Sequence, residues 1–307
     1  MALVHVGSID LPAHVGQGGF DHAAVDSGRA LLYVAHTAND SVDVIDLSSA
    51  RYLRSIDSLT GVAGALVQEP EGIVFTSNRG ENTVGILDPS DEHPIKVPVG
   101  IRPNGLAFDP GRGILLCANV GDPAVPGSAS VTLVDVRARS GMATVSMPGR
   151  TRWAIYDPDR QRFFVNIMDP AVIMVLDPAR PDLEARPMEV PARGPHGLDL
   201  DRARGRLYCA CDDGTLVVMD GGSGSCIAAI ELSGPPDVVF LNPALAHLYA
   251  AIGDPGVIDV VDVAALERVD VVATEHGCHT IGFDQATNRV YAFCPRTHRA
   301  SVYAEDP

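Results

Sequence analysis

Three short strings share a pattern: "RPNGLAFD" (102–109), "GPHGLDLD" (194–201) and "CHTIGFD" (278–284). Aligned on their closing Asp, they bring Asn104, His196 and His279 to one position, and extending the alignment adds His22, Ala63, Arg152 and Asp237. A second position, at the end of the apolar run that follows, holds His36, Asn78, Asn119, Ile167, Cys211, Ile252 and Cys294. The loop beyond the last of these adds Arg296 and His298. Neutral imidazoles are ready ligands for Zn, Fe, Mn, Ni or Cu, and three of them leave coordination positions open for substrate. His22, His196 and His279 are therefore the candidate ligands of a divalent transition metal, with Asp237 as a fourth ligand or a partner that orients one histidine. Arg152 suits an anionic or carbonyl-bearing substrate, and His36 or His298 would move a proton. Without a metal, a histidine and Asp237 would act as acid and base while Arg152 steadies an oxyanion.

Each residue also has a structural reading. A histidine in such a position often just bonds its neighbours, and Asn78 and Asn119 fit as caps of their own loops. Trp153 next to Arg152 fits as a stacking partner. Cys211 and Cys294 fit as small buried apolar groups. His14, His93, His247 and His276 fall in turns or outer strands and are expected at the surface.

The elements that would position these residues recur roughly every 40–45 residues. Each unit is a short apolar strand, an Asp/Pro/Gly/Arg turn, a strand rich in Leu, Tyr and Val, a polar loop and a strand ending in Asp. The units begin at His22, Ala63, Asn104, Arg152, His196, Asp237 and His279. The longer intervals are partly explained by the loop "GDPAVPGSAS" and the Pro-rich "LDPARPDLEARP". Seven units of about four strands predict an all-β, seven-bladed β-propeller spanning 1–307 as a single domain. The last unit lacks a fourth strand, and "LVHVGSIDLP" near the N-terminus matches the fourth strands "RYLRSIDSL" and "CIAAIELSG". It is expected to complete the last blade and close the ring. The first strand of each blade lines the central channel, so the repeated position should form a ring at one end. Asp26, Asp109, Asp157, Asp201, Asn242 and Asp284 mark the other end as turn residues, and Glu71 belongs with them.

The strings "LLYVAHTANDSVDVIDL", "GIVFTSNRGENTVGILDP" and "RLYCACDDGTLVVMD" resemble the YVTN-type propeller repeat over essentially the whole chain. The resemblance implies the propeller fold. It also brings a range of activities found on that fold, from binding proteins to lactonases and virginiamycin B lyase-like ring-opening enzymes.

Composition narrows the partners. The net charge of −16 repels phosphate backbones and anionic lipid, so neither nucleic acid nor a membrane is an expected partner. The six cysteines form no CxxC pair, and a chain of this size needs no disulfide framework. "MALVHVGSIDLPAHVGQGG" carries no basic n-region and no long apolar h-region, so a cytoplasmic, reduced protein is expected. The oligomeric state is left open and a monomer is compatible. GxSxG, HExxH and phosphate-binding glycine loops are absent. Two functions fit: a metal-dependent hydrolase or lyase acting on a small molecule such as a lactone or other oxygen-bearing ring, or a non-catalytic propeller binding a small molecule, peptide or protein at the same rim.

Overall fold

The computed structural model describes residues 3–69, 71–88, 93–180 and 185–305. Among these, seven four-stranded antiparallel sheets follow one another along the chain. Blade 1 runs from its inner strand, Ala23–Asp26, through Leu31–His36 and Ser41–Asp46 to its outer strand, Arg51–Ile56. The inner strands of blades 2 to 7 are Val62–Gln68, Pro103–Asp109, Thr151–Asp157, Pro195–Asp201, Pro236–Asn242 and Thr280–Asp284. Each inner strand contacts those of the two neighbouring blades, and blade 7 contacts blade 1, so the ring is closed. The expected seven-bladed propeller is what forms.

Closure also follows the sequence reading. Val4–Asp10 is the outer strand of blade 7, antiparallel to Arg299–Ala304, with Val4 opposite Ala304 and Asp10 opposite Arg299. Part of "LDPARPDLEARP", residues 181–184, and the chain ends 1–2 and 306–307 lie outside the described residues. No helix among the described residues is long and apolar enough to cross a membrane.

The second strand of each blade is covered on both faces, which is why it reads as an unbroken apolar run rather than an alternating one. Its third position is a fully buried aromatic in five blades, as Phe75, Phe164, Tyr208, Tyr249 and Tyr291. The core lies between blades: Leu116, Val131 and Leu133 of blade 3 pack with Phe163, Val165 and Met174 of blade 4. Each such side chain contributes about 1.5–3 kcal/mol on burial, so stability resides in the blade-to-blade seams.

The ends of the inner strands are fixed by one repeated device. Asp26, Asp109, Asp157 and Asp201 are buried. Their carboxylates accept Nη1 of Arg29, Arg112, Arg160 and Arg204 at 3.0, 2.8, 2.7 and 2.9 Å. The same carboxylates accept turn N–H groups, as at Gly111 and Arg204, so turn chemistry accounts for this end of the channel. Glu71 stands here too, its carbonyl accepting Arg29 Nη2 at 2.8 Å.

At the other end, five inner strands open with a β-bulge; in blade 2 the skip in pairing with the second strand falls between Val62 and Gly64. In blades 3 to 6 it falls between Pro103 and Leu106, Thr151 and Ala154, Pro195 and Leu198, and Pro236 and Val239. The bulged stretches of these four blades carry Asn104, Arg152, His196 and Asp237. A bulge inserts an extra residue and re-aims side chains. Here it puts the polar position of the repeat at the channel mouth instead of in the ladder.

Candidate functional site at the channel mouth

The mouth is built around His196. Its Nδ1 lies 2.7 Å from Asp212 Oδ1 and its Nε2 lies 2.8 Å from Asp237 Oδ1. Burial alone would push this imidazole down, but Asp237 and Asp212 outweigh it and raise the pKa to about 9. His196 is therefore an imidazolium donating from both nitrogens at neutral pH. Asp237 is strongly lowered: burial opposes ionisation, and the charge and hydrogen bond of His196 overcome it. Asp212 is lowered too, for the same opposing reasons.

Arg152 completes the group. Its Nη2 stands 3.4 Å from Asp212 Oδ2 and 3.6 Å from Met168 Sδ. Its Nη1 stands 3.2 Å from His196 Nε2. With that nitrogen already donating to Asp237, this is a contact between two cations, tolerated because Asp212 bridges them. His279 lies on the far side of Asp237, its Nε2 3.8 Å from Oδ2. Its Nδ1 is 2.9 Å from the Gly277 carbonyl and donates to it, so Nε2 is the nitrogen turned toward Asp237 and the mouth.

His22 is buried, and that burial, ahead of its neighbours' charges, lowers its pKa. Its Nε2 lies 3.4 Å from Asp21 Oδ1. The ring packs against Trp153 with centroids 4.2 Å apart. Blades 1 and 4 are not neighbours, so this pair bridges the channel. Beyond it lies a cavity of about 870 Å³ lined by inner-strand residues, among them Leu106, Phe108, Tyr156, Asp199 and Phe240. Asp199 is pushed up to about 6 by burial, offset in part by the Leu241 and Leu200 N–H groups it accepts. Arg152, His196 and Asp237 do not line this cavity. A cleft of about 380 Å³ lined by Met168, Arg193 and Asp212 opens beside the mouth instead. A groove on the flank matches the channel cavity at about 870 Å³, but its Arg160, Arg162 and Arg180 are paired with Asp157 and Asp177.

The repeat alignment thus brings His22, Arg152, His196, Asp237 and His279 together, but not as a metal centre. Both nitrogens of His196 are taken by carboxylates, so it has no lone pair to offer. Among the described residues no three His, Cys, Asp or Glu side chains stand in coordination geometry. The residues of this mouth do not fit the expected metal.

His36 and His298, expected to serve this site as proton carriers, belong elsewhere. They share no side-chain hydrogen bond, ion pair or ring contact with it among the described residues. They gather instead around His14, which is no simple surface residue. His247 is likewise engaged, its Nδ1 2.9 Å from the buried Glu305. Asn78 and Asn119 tie strands together and do not cap loops: Asn78 donates to Thr83 Oγ1, and Asn119 to Ser130 and Thr132. Cys211 and Cys294 are buried, as expected.

Several site residues escaped the sequence reading. Arg79, Met168 and Asp212 each stand one residue beyond a second-strand end; those ends fall where the sequence places them, and the site takes its residues from the first loop position after them. Arg79 donates to Asn104 Oδ1 at 2.7 Å and lies 3.5 Å from Asp21. Asn166 donates to the carbonyls of His196 and Gly197 at 2.9 and 3.1 Å. Arg150 is lowered by partial desolvation and then by Arg152, Arg102 and Arg79. Four guanidiniums therefore gather along the side of the mouth formed by blades 2 to 4. Among the described residues, Arg102 and Arg150 have no ion-pair partner.

No protein-family model and no curated protein matches the chain. Among solved structures it is similar to a chain of hydrazine synthase from Kuenenia stuttgartiensis, at 14% identity and a TM-score of 0.81. That match covers 95% of this chain and 98% of the other. It is similar also to a chain of the mitotic checkpoint complex, at 11% identity and a TM-score of 0.81, covering 99% of this chain and 92% of that one. One of these is an enzyme and the other a subunit of a complex, and at such identities the likeness is one of fold: the chain is a seven-bladed β-propeller.

Proposed function

We propose that the channel mouth binds a small organic anion bearing a carboxylate or phosphate. The gathering of Arg79, Arg102, Arg150 and Arg152 on a chain of net charge −16 carries this reading. Like charges held together cost stability unless an anion offsets them, and guanidinium forks match carboxylate and phosphate geometry. Asp212 and Asp237 hold His196 and Arg152 in place, so the ligand meets a preorganised cationic wall. Assignment to the YVTN-type repeats is part of the same proposal and rests on the repeat strings.

His279 favours a second, catalytic reading. A histidine whose Nδ1–H is fixed by a carbonyl presents Nε2 as a base. Across the Asp237–His196 pair from Arg152, it suits a metal-free hydrolysis or elimination on an oxygen-bearing ring, with the arginine steadying the developing oxyanion. Calorimetric titration with a panel of small di- and tricarboxylates and sugar phosphates separates the cases. At least one is expected to bind, and Arg152→Ala is expected to weaken it by about tenfold or more, roughly 1.4 kcal/mol. No binding at millimolar concentration by any member overturns the reading. Turnover of the bound anion that His279→Ala abolishes without loss of binding selects the enzyme; binding without turnover selects the binding module.

A further inference from the structure

Away from the mouth, where the N-terminal segment crosses blades 1 and 7, three more histidines meet. His14 lies in the loop between the closing strand and blade 1, His36 ends the second strand of blade 1, and His298 sits in the last turn of blade 7. The ring of His14 is 4.9 Å from that of His36 and 4.4 Å from that of His298, at interplanar angles of 66° and 70°. Backbone bonds hold the segment there: Leu11 N–H donates to the His298 carbonyl at 2.9 Å, and Gly16 N–H to the Ala38 carbonyl at 2.8 Å.

Each ring keeps one buried nitrogen without a partner: His14 Nε2, His36 Nε2 and His298 Nδ1. Buried polar atoms are nearly always satisfied, and an orphan costs about 1–3 kcal/mol. Three orphans in one cluster point to a missing common partner. His36 is fully buried and fixed from behind, its Nδ1 2.7 Å from Asp43 Oδ2. Asp43 Oδ1 in turn accepts Ser55 Oγ at 2.6 Å, and Ser55 Oγ contacts the Tyr52 hydroxyl at 2.9 Å. A carboxylate on the remote nitrogen of a ligand histidine is the usual support of a metal site. Asp43 is itself fully buried, with no lysine or arginine as partner among the described residues. Its counterpart Asp259 in blade 6 instead accepts Arg268 at 3.3 Å. The buried charge of Asp43 therefore calls for a countercharge from another source.

We propose that His14, His36 and His298 ligate one zinc-type divalent ion, joining the N-terminal segment, blade 1 and blade 7. Metal–nitrogen distances of about 2.0–2.1 Å at tetrahedral angles set ligand ring centroids roughly 5 Å apart, close to the separations here. The rings now meet edge-on, and no donor trio stands in coordination geometry. His36 stays fixed while the part-exposed His14 and His298 rotate about χ2 to bring their nitrogens to it. The fourth position is left to water or a small ligand. This proposal is independent of the anion site at the mouth.

The test uses the full chain without a polyhistidine tag, loaded with Zn²⁺ or Co²⁺ alone and dialysed. The wild type is expected to retain close to one equivalent by mass spectrometry, to gain thermal stability that chelation removes, and to show the visible absorption of four-coordinate Co²⁺. His14→Ala/His298→Ala, folded by circular dichroism, is expected to lose all three. His22→Ala/His279→Ala is expected to keep them, and Asp43→Asn to weaken Zn²⁺ by about 10–100-fold. A wild type that retains no ion overturns the proposal. So does a His14→Ala/His298→Ala variant that retains as much as wild type, or a folded His22→Ala/His279→Ala variant that loses it.

Discussion

Two carboxylates hold the His196 imidazole from both ring nitrogens, and this fixes its charge. Its pKa of about 9 lies above the ordinary histidine value of 6.5. A raised folded-state pKa stabilises fully below the unfolded value and is lost as pH rises through the folded one. The stabilisation is therefore complete below pH 6.5 and disappears between there and pH 9, with an upper size of about 3 kcal/mol. Urea unfolding at pH 6.5 and 9.5 should show this loss in the wild type. His196→Gln should be less stable at pH 6.5 and lack that part of the slope. A variant with an unchanged slope would place the titrating group elsewhere. His196 was legible in the sequence because the repeat repeats its position. Asp212, which decides its chemistry, was not. It is the first loop residue after a strand whose end, Cys211, was read correctly, and where a loop side chain points depends on contacts between blades.

At the scale of the element, the bulge at the start of the inner strand does the positioning. In blades 2, 3 and 5 the next residue is glycine, and it lets the following blade approach. A Cβ on Gly64, Gly105 or Gly197 would stand 2.6, 2.4 or 2.5 Å from the carbonyl oxygen of Asn104, Arg152 or Asp237. Gly197→Ala is thus expected to push the Asp237 backbone away and cost about 1–3 kcal/mol. Gly7→Ala, which meets nothing within 4 Å, should leave urea unfolding nearly unchanged. Equal effects would show that the close approach does not position Asp237. The strands, their order and the N-terminal closure were legible because hydrophobic pattern and turn chemistry are local. Side-chain direction at the mouth was not, since it depends on bulges and on contacts between blades. That is why a ring of histidines suggestive of metal proved to be an ion-paired cluster. It is also why His14, read as a surface residue, turned up among buried nitrogens.

For the whole molecule, the closing strand and the charge distribution matter most. Removing Val4–Asp10 would bare the edge of Arg299–Ala304 and the buried Ala300, Val302 and Tyr303. An open edge with exposed apolar side chains invites association. Deletion of residues 1–10 should lower the melting temperature and produce aggregates in size-exclusion chromatography; an unaffected monomer would show that the ring holds without its closing strand. The net charge of −16 would repel an anion at long range, so binding must come from the local arginines, and salt should screen that repulsion. The most direct test of the mouth is a histidine Cε1–H NMR titration, with and without the anion that binds in calorimetry. The His196 resonance should titrate near pH 9, shift when the anion is added, and no longer shift in Arg152→Ala. A His196 resonance that titrates near the ordinary value of about 6.5 and is unmoved by every anion would contradict this reading of the mouth.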